Sequence, residues 1–166
     1  IFLQRPLVLL QPYLLYAGAG DSRKNLKRLV HAYSLIPIKL RNKYKLVIAG
    51  RLLPFELNDL QNFIVANHLF KDNIKILGYV SDEDLVSLYQ NCSLFIFPSL
   101  HEGFGLPVLE AITCGAPTIG SNLTSIPEIL GLDEAMFDPY SVQSISDKII
   151  QFITDLDSKE TLKNKL

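Results

Sequence analysis

A chain of 166 residues, 48% of them hydrophobic, holds enough apolar material for one sizeable core and is about the size of one ordinary domain. Its formal net charge is −1 and its lysines and arginines are scattered among acids. No broad basic face is therefore available for a nucleic-acid backbone, which argues against a nucleic-acid partner.

The apolar start, Ile1 to Tyr16, is interrupted by Arg5, Pro6 and Pro12 and falls short of the roughly 20 residues a membrane span needs. Residues 1–12 read as an extended lead-in, and the missing initiator Met suggests an excised part of a longer polypeptide. Short apolar runs then alternate with amphipathic stretches. Leu14–Ala17, Leu46–Ala49, Ile74–Leu77, Leu94–Phe97 and Thr118–Gly120 read as buried strands. Between and after them, Asn25–Ile36, Glu56–Asn67, Asp82–Asn91, Pro107–Thr113 and Val142–Leu156 space their apolar residues by three and four, as helices do. This alternation predicts an α/β, Rossmann-like fold: a parallel sheet with helices on both faces. In such sheets ligands bind outside the carboxyl ends of the strands. The loops to read are thus Gly18–Lys24, Gly50–Phe55, Gly78–Asp82, Pro98–Leu106 and Ser121–Pro127. A glycine follows the strand in the first three, where the backbone must turn sharply or approach a ligand closely.

The segment from Pro98 to Ala111 carries most of the chemistry. Pro107 fits the first helical position, where its missing N–H costs nothing. The amides of Gly103, Phe104, Gly105 and Leu106 then lead into a helix N-terminus, a site for phosphate or another anion, with no side chain at either glycine to hold the anion away. A tight turn alone would also use these glycines. Two carboxylates flank them, Glu102 before and Glu110 about one turn into the helix. Carboxylates repel phosphate but accept hydrogen bonds from hydroxyls, such as the ribose and hexose hydroxyls on either side of a sugar-nucleotide pyrophosphate. The plain alternatives are a solvated loop acid and a first-turn acid. In the first loop, Arg23 and Lys24 fall where a helix should start. Cations oppose the helix dipole there unless an anion is bound, so Lys24 is the preferred diphosphate contact, Arg23 the second, and Arg51 a weaker third. Lys27 and Arg28 read as a solvated helix face.

Glu102-Gly103-Phe104-Gly105-Leu106-Pro107-Val108-Leu109-Glu110-Ala111 resembles in full the paired-glutamate motif of the group 1 (family four) retaining glycosyltransferases of GT-B fold. Arg23-Lys24-Asn25, Ile48-Ala49-Gly50, Gly78-Tyr79-Val80 with Leu85 and Tyr89, Gly115-Ala116-Pro117, Ser121-Asn122 and Pro127-Glu128 support the likeness. It extends from about Tyr13 to Pro139. The resemblance implies that residues 13–166 are the C-terminal, donor-binding half of a two-domain enzyme, with the N-terminal acceptor domain outside this chain. It further implies Glu102 and Lys24 as catalytic residues, Glu102 against the donor sugar and Lys24 against the leaving diphosphate. Glu110 would hold the ribose, the amides of Phe104, Gly105 and Leu106 would meet phosphates or sugar, and Tyr79 and Val80 would pack on the base. Many members carry an arginine where this chain has Ala19, which removes one phosphate contact. The implied reaction is hexosyl transfer from a nucleoside-diphosphate sugar, with retention, in surface polysaccharide or lipopolysaccharide synthesis. The setting is cytoplasmic, with peripheral membrane association through the acceptor domain.

No cofactor and no metal is expected, the leaving group being stabilised by fixed charge and amide dipoles. Asp82-Glu83-Asp84 spells a metal-binding Asp-x-Asp, but Ser81 placed as an N-cap three residues before Asp84 reads as the start of a helix. Asp155-Leu156-Asp157 has no further ligand nearby. His31, His68 and His101 are not spaced as zinc ligands, and only His101 adjoins the site. Cys92 and Cys114 fit reduced, buried thiols. Asn122-Leu123-Thr124 matches a glycosylation acceptor, yet Ser121, Asn122 and Ser125 read better as caps for a helix beginning near Ile126. Three rivals remain. A dinucleotide-dependent oxidoreductase lacks its third glycine, which is Arg23 here, and the acid closing the second strand. A related nucleotide-sugar epimerase or a sugar phosphorylase shares the architecture, and a nucleotide-sugar binding module would recognise the donor without transferring it.

Overall fold

In the computed structural model, which describes residues 7–69, 72–155 and 162, six short strands form one parallel sheet. They are β1 (Tyr13–Ala17), β2 (Lys45–Ala49), β3 (Ile74–Gly78), β4 (Leu94–Phe97), β5 (Thr118–Ser121) and β6 (Met136–Phe137). The order across the sheet is β3-β2-β1-β4-β5-β6. β1 and β4 are continuous apolar runs buried along their whole length, as a sheet covered on both faces requires, and β5 is fully buried too although it carries Thr118 and Ser121. β3, at one edge, exposes Lys75, whose charge discourages pairing with a further strand.

The helices are α1 (Leu26–Leu35), α2 (Ile38–Lys43), α3 (Pro54–Ala66), α4 (Asp82–Asn91), α5 (Leu106–Thr113), α6 (Ile126–Leu130) and α7 (Val142–Thr154). α1 buries Leu26, Leu29, Val30 and Tyr33, a stripe at spacings of three and four, and stops before Pro37, which has no N–H to continue it. Its stripe meets α7, which buries Ile145, Ile149 and Phe152. Each such side chain, once covered, contributes about 1.5–3 kcal/mol, and this seam fixes one helical layer. α1 contacts both α7 and α3, whereas α4 contacts α5 and α5 contacts α6, a separate series. The chain winds one way from β1 through β2 to β3, then crosses back to β4 beside β1. That reversal puts the two helix series on opposite faces and opens a crevice between the carboxyl ends of β1 and β4.

The expected strands and long helices are all present, with local differences. α2 and β6 are additional. α2 is six residues long and buries none of them, so it carries no periodic stripe. β6 has two residues and exists through its pairing with β5. Asn25 is the residue before α1 rather than its first, and α3 begins at Pro54, ahead of Glu56. α5 begins at Leu106, so Pro107 is second rather than first in the helix, still among the residues whose N–H has no intrahelical partner. α7 ends at Thr154, and the expected extension to Leu156 lies outside the described residues.

Candidate functional site

The loops after β1, β2 and β3 lock to one another before any ligand is considered. Gly18 N donates to Ala49 O (3.0 Å) and Gly50 N to Gly78 O (2.8 Å). Gly50 has φ +133°, and a Cβ built on it would stand 1.9 Å from Gly18 O. The neighbouring backbone and the positive φ by themselves require glycine at this position.

The loops after β1 and β4 are stitched together across the crevice. Arg23 O accepts from Leu100 N (2.7 Å) and from Ser99 Oγ (3.1 Å). Asn25 is buried in the left-handed region (φ 61°), and its Nδ2 donates to Pro98 O (3.0 Å) and Pro139 O (2.8 Å). Its Oδ1 accepts from Arg28 Nη1 (2.7 Å), so Arg28 belongs to this network and is not part of a solvated face. The left-handed backbone comes more readily to Asn than to most residues, and the side chain then reaches two other loops and helix α1. With these ties in place, Lys24 Nζ lies 2.7 Å from Glu102 Oε1, the two side chains only 18% and 12% exposed, and 5.5 Å from the centre of the Phe97 ring.

Asn25→Ala strands the carbonyls of Pro98 and Pro139 and leaves a Cβ residue in left-handed backbone without local hydrogen bonds. The expected loss is about 2–4 kcal/mol, read as a fall in Tm of roughly 5–15 °C. Asn25→Gly, freed of the backbone strain, should fall between that variant and wild type. A melting curve for Asn25→Ala that overlays wild type would show that these ties do not hold the loops.

Beyond Glu102 the chain turns through Gly105, whose φ is +90° and whose built Cβ would meet Ile126 Cδ1 at 2.8 Å. Gly105 is the N-cap of α5 and offers no side-chain cap. Among the described residues, the N–H groups of Gly103, Phe104, Gly105 and Leu106 donate no hydrogen bond. Four free donors at a helix N-terminus suit an anion. Thr124 Oγ1 accepts from Glu102 N (3.2 Å) and Ser125 Oγ donates to Glu102 O (3.4 Å). α6 does begin at Ile126, but Ser125, expected as its side-chain cap, directs its hydroxyl to Glu102 instead. Ser121 accepts from Leu123 N (3.1 Å), a local turn rather than a cap.

Glu110 stands on the exposed side of α5, bordering a groove of about 380 Å³ between α4 and α5 lined also by Leu85, Val86, Tyr89, Leu109 and Cys114. Tyr89 OH donates to Glu110 Oε2 at 3.3 Å. Burial, then the Glu110 charge, pushes the Cys114 thiol pKa up. Both cysteines are free thiols.

The remaining candidates are spread around this centre. The Arg23 side chain is exposed and paired with Asp21 (3.1 Å). Arg51 shares a cleft of about 320 Å³ with Gly78 and Tyr79, and Tyr79 is exposed while Val80 packs against the core. His101 is exposed at the start of the glutamate loop. The structure therefore brings Lys24 and Glu102 into contact, keeps Gly103 to Leu106 on the same loop, and places Glu110 on the α4–α5 groove. Arg51 and Tyr79 form a separate group. Of the Asp82-Glu83-Asp84 run, Asp84 N donates to the Ser81 cap (3.1 Å) and its carboxylate accepts from Leu7 N (2.7 Å). Sequence reading missed the bracing of Glu102 by Thr124 and Ser125 and the contact of Tyr89 with Glu110. The one available signal was the cluster of hydroxyl residues after β5.

A family model described as glycosyl transferases group 1 matches residues 4–165. The serotype-specific mannosyltransferase WbdA of Escherichia coli is 43% identical over 143 residues, covering 86% of this chain and 18% of that protein. The O-antigen chain mannosyltransferase B of Escherichia coli is 41% identical over 153 residues, covering 92% of this chain and 40% of that one. The chain thus spans well under half the length of these relatives. Among solved structures, sucrose-phosphate synthase from Thermosynechococcus elongatus superposes with a TM-score of 0.82 at 25% identity, over 95% of this chain and 40% of that one. HepE from Anabaena, solved in complex with UDP and glucose, also gives 0.82, at 21% identity, over 92% of this chain and 41% of its own. With the reversal crevice, the free amides and the paired glutamates in place, these likenesses lead to one conclusion: the chain belongs to the group 1 glycosyltransferases, as a C-terminal domain of the GT-B fold.

Proposed function

We propose that this domain binds a nucleoside-diphosphate sugar and supplies the donor half of a retaining mannosyltransferase that builds a surface polysaccharide. The observation that carries the reading is the Lys24–Glu102 contact at the β1–β4 crevice, beside four unused amides. The two Escherichia coli relatives, both named as mannosyltransferases, support mannose as the sugar.

Lys24 and the amides of Gly103 to Leu106 stabilise the diphosphate as it leaves, in a site where positive charge and N–H dipoles are already fixed. Glu102 keeps Lys24 in place until the donor arrives, and then accepts from sugar hydroxyls. Glu110 receives the ribose hydroxyls, and the apolar wall of the α4–α5 groove lies beside them. The acceptor comes from a second domain of the same polypeptide, which also provides any contact with the membrane. No metal takes part in this scheme, so chelation of divalent ions leaves donor binding unchanged.

Titration calorimetry of the chain with UDP and GDP, and then with the matching sugar nucleotides, tests the reading. Glu110→Ala and Lys24→Ala are each expected to weaken binding about tenfold or more, since each removes a charged partner worth about 1.5–3 kcal/mol. Failure of both nucleotides to bind at millimolar concentration, or equal affinity in all three proteins, would sink it. A preference for the glucosyl over the mannosyl donor would leave the site standing and remove mannose.

A further inference from the structure

Tyr89 lies on α4, outside every loop that faces the crevice, yet its hydroxyl reaches Glu110 Oε2 at 3.3 Å. The residue is 2% exposed, and its ring is held by an edge-to-face contact with Phe95 of β4, with centroids 5.2 Å apart and planes at 83°. Burial and then the Glu110 charge push the phenol well above its ordinary value, so the hydroxyl keeps its proton and acts as donor. The ion pairs among the described residues join Arg23 to Asp21, Lys24 to Glu102 and Lys27 to Asp59, none of which involves Glu110. A carboxylate offers about four lone-pair directions. Tyr89 uses one on Oε2, and Glu110 itself is exposed and lines the groove.

We propose that Tyr89 is a positioning residue, whose hydroxyl holds the Glu110 carboxylate in the orientation that accepts the two vicinal ribose hydroxyls of the donor nucleoside. This rests on the donor-site reading and deepens it. A free glutamate on an exposed helix face samples several rotamers, and a bound diol needs one of them. The 3.3 Å separation exceeds the usual ~2.7 Å of an O–H···O bond, so the restraint is soft and the expected effect moderate. The phenol is well suited to this restraint because its ring is buried and packed edge-to-face on Phe95 of the sheet.

Titration calorimetry of wild type and Tyr89→Phe with GDP and UDP, each beside its 2′,3′-dideoxy analogue, separates positioning from general support. Tyr89→Phe removes one oxygen and leaves no backbone group stranded, so its melting temperature should stay near wild type. Its affinity for the preferred ribonucleotide is expected to fall roughly fivefold, while that for the dideoxy analogue stays the same. Equal losses for both ligands would assign Tyr89 a merely structural role and overturn the inference, as would no loss for either. Binding that is lost in Glu110→Ala and untouched in Tyr89→Phe would remove the role of Tyr89 and keep the donor site. If wild type binds neither nucleotide, the donor-site reading falls, and the role of Tyr89 falls with it.

Discussion

Gly50→Ala is expected to prevent native closure of the loops at the carboxyl end of the sheet, giving insoluble protein or a Tm at least roughly 10 °C below wild type. The added methyl would stand 1.9 Å from Gly18 O, a backbone atom that cannot rotate aside as a side chain could. Neither loop is free to retreat, because Gly18 N is bonded to Ala49 O and Gly50 N to Gly78 O. The backbone itself, at φ +133°, lies in a region that L side chains avoid. Relief requires breaking at least one of those bonds and shifting β1 or β2, a cost of about 4 kcal/mol or more against a total stability of about 5–15 kcal/mol. Gly78→Ala provides the comparison. Its φ is also positive, at +71°, but nothing lies within 4 Å of the added carbon, so only backbone strain of about 1–2 kcal/mol is expected. Thermal melts followed by circular dichroism compare the pair. Similar curves for the two variants would show that the loops yield easily.

The second large effect is alkaline unfolding. Tyr13, Tyr16, Tyr33 and Tyr89 are buried, and each hydroxyl donates to an acceptor: Leu88 O, Ala19 O, Tyr44 O with Asn73 O, and Glu110 Oε2. Burial is the main cause that raises all four above the ordinary value of 10.0. In the unfolded chain these phenols lose their protons near pH 10, while in the native state they keep them. The unfolded state then binds fewer protons, so stability is fully present below about pH 10 and falls as pH rises beyond it. Each tyrosine contributes up to about 1.4 kcal/mol per pH unit, so the four together give a slope of up to roughly 5.5 kcal/mol per pH unit. Urea unfolding at pH 8, 10 and 11 should show a flat region followed by a steep fall. Phenolate absorbance should appear together with the loss of helical signal. Phenolate that develops while the helices persist would mean that these hydroxyls titrate inside the native structure.

The strands were legible because a sheet covered on both faces leaves continuous apolar runs such as Tyr13 to Ala17 and Leu94 to Phe97. α2 and β6 left no such trace, since one buries nothing and the other depends on its neighbour's hydrogen bonds. At the site, Lys24, Glu102 and Glu110 could be picked out from charge placed where a loop or helix dipole disfavours it or leaves it unexplained, and the family motif joined them. The contacts that hold these residues could not be read the same way. Asn25 reaches Pro98 and Pro139, which are 73 and 114 positions away, and Tyr89 meets Glu110 only because α4 lies beside α5. Such partners follow from topology and not from local pattern. Gly50 shows the same limit differently: a glycine was clearly required, but the atom that requires it belongs to another strand's loop.

Lys24 and Glu102 are 78 positions apart, and they meet only after β1 has docked beside β4. A donor that touches both loops therefore has nothing to hold in a half-assembled chain. Its binding energy counts against global unfolding as a whole, about 2.7 kcal/mol at a hundredfold excess over Kd. On the proposed donor reading, the nucleotide sugar acts as a folding ligand as well as a substrate, and a cell short of it would keep less of this domain assembled.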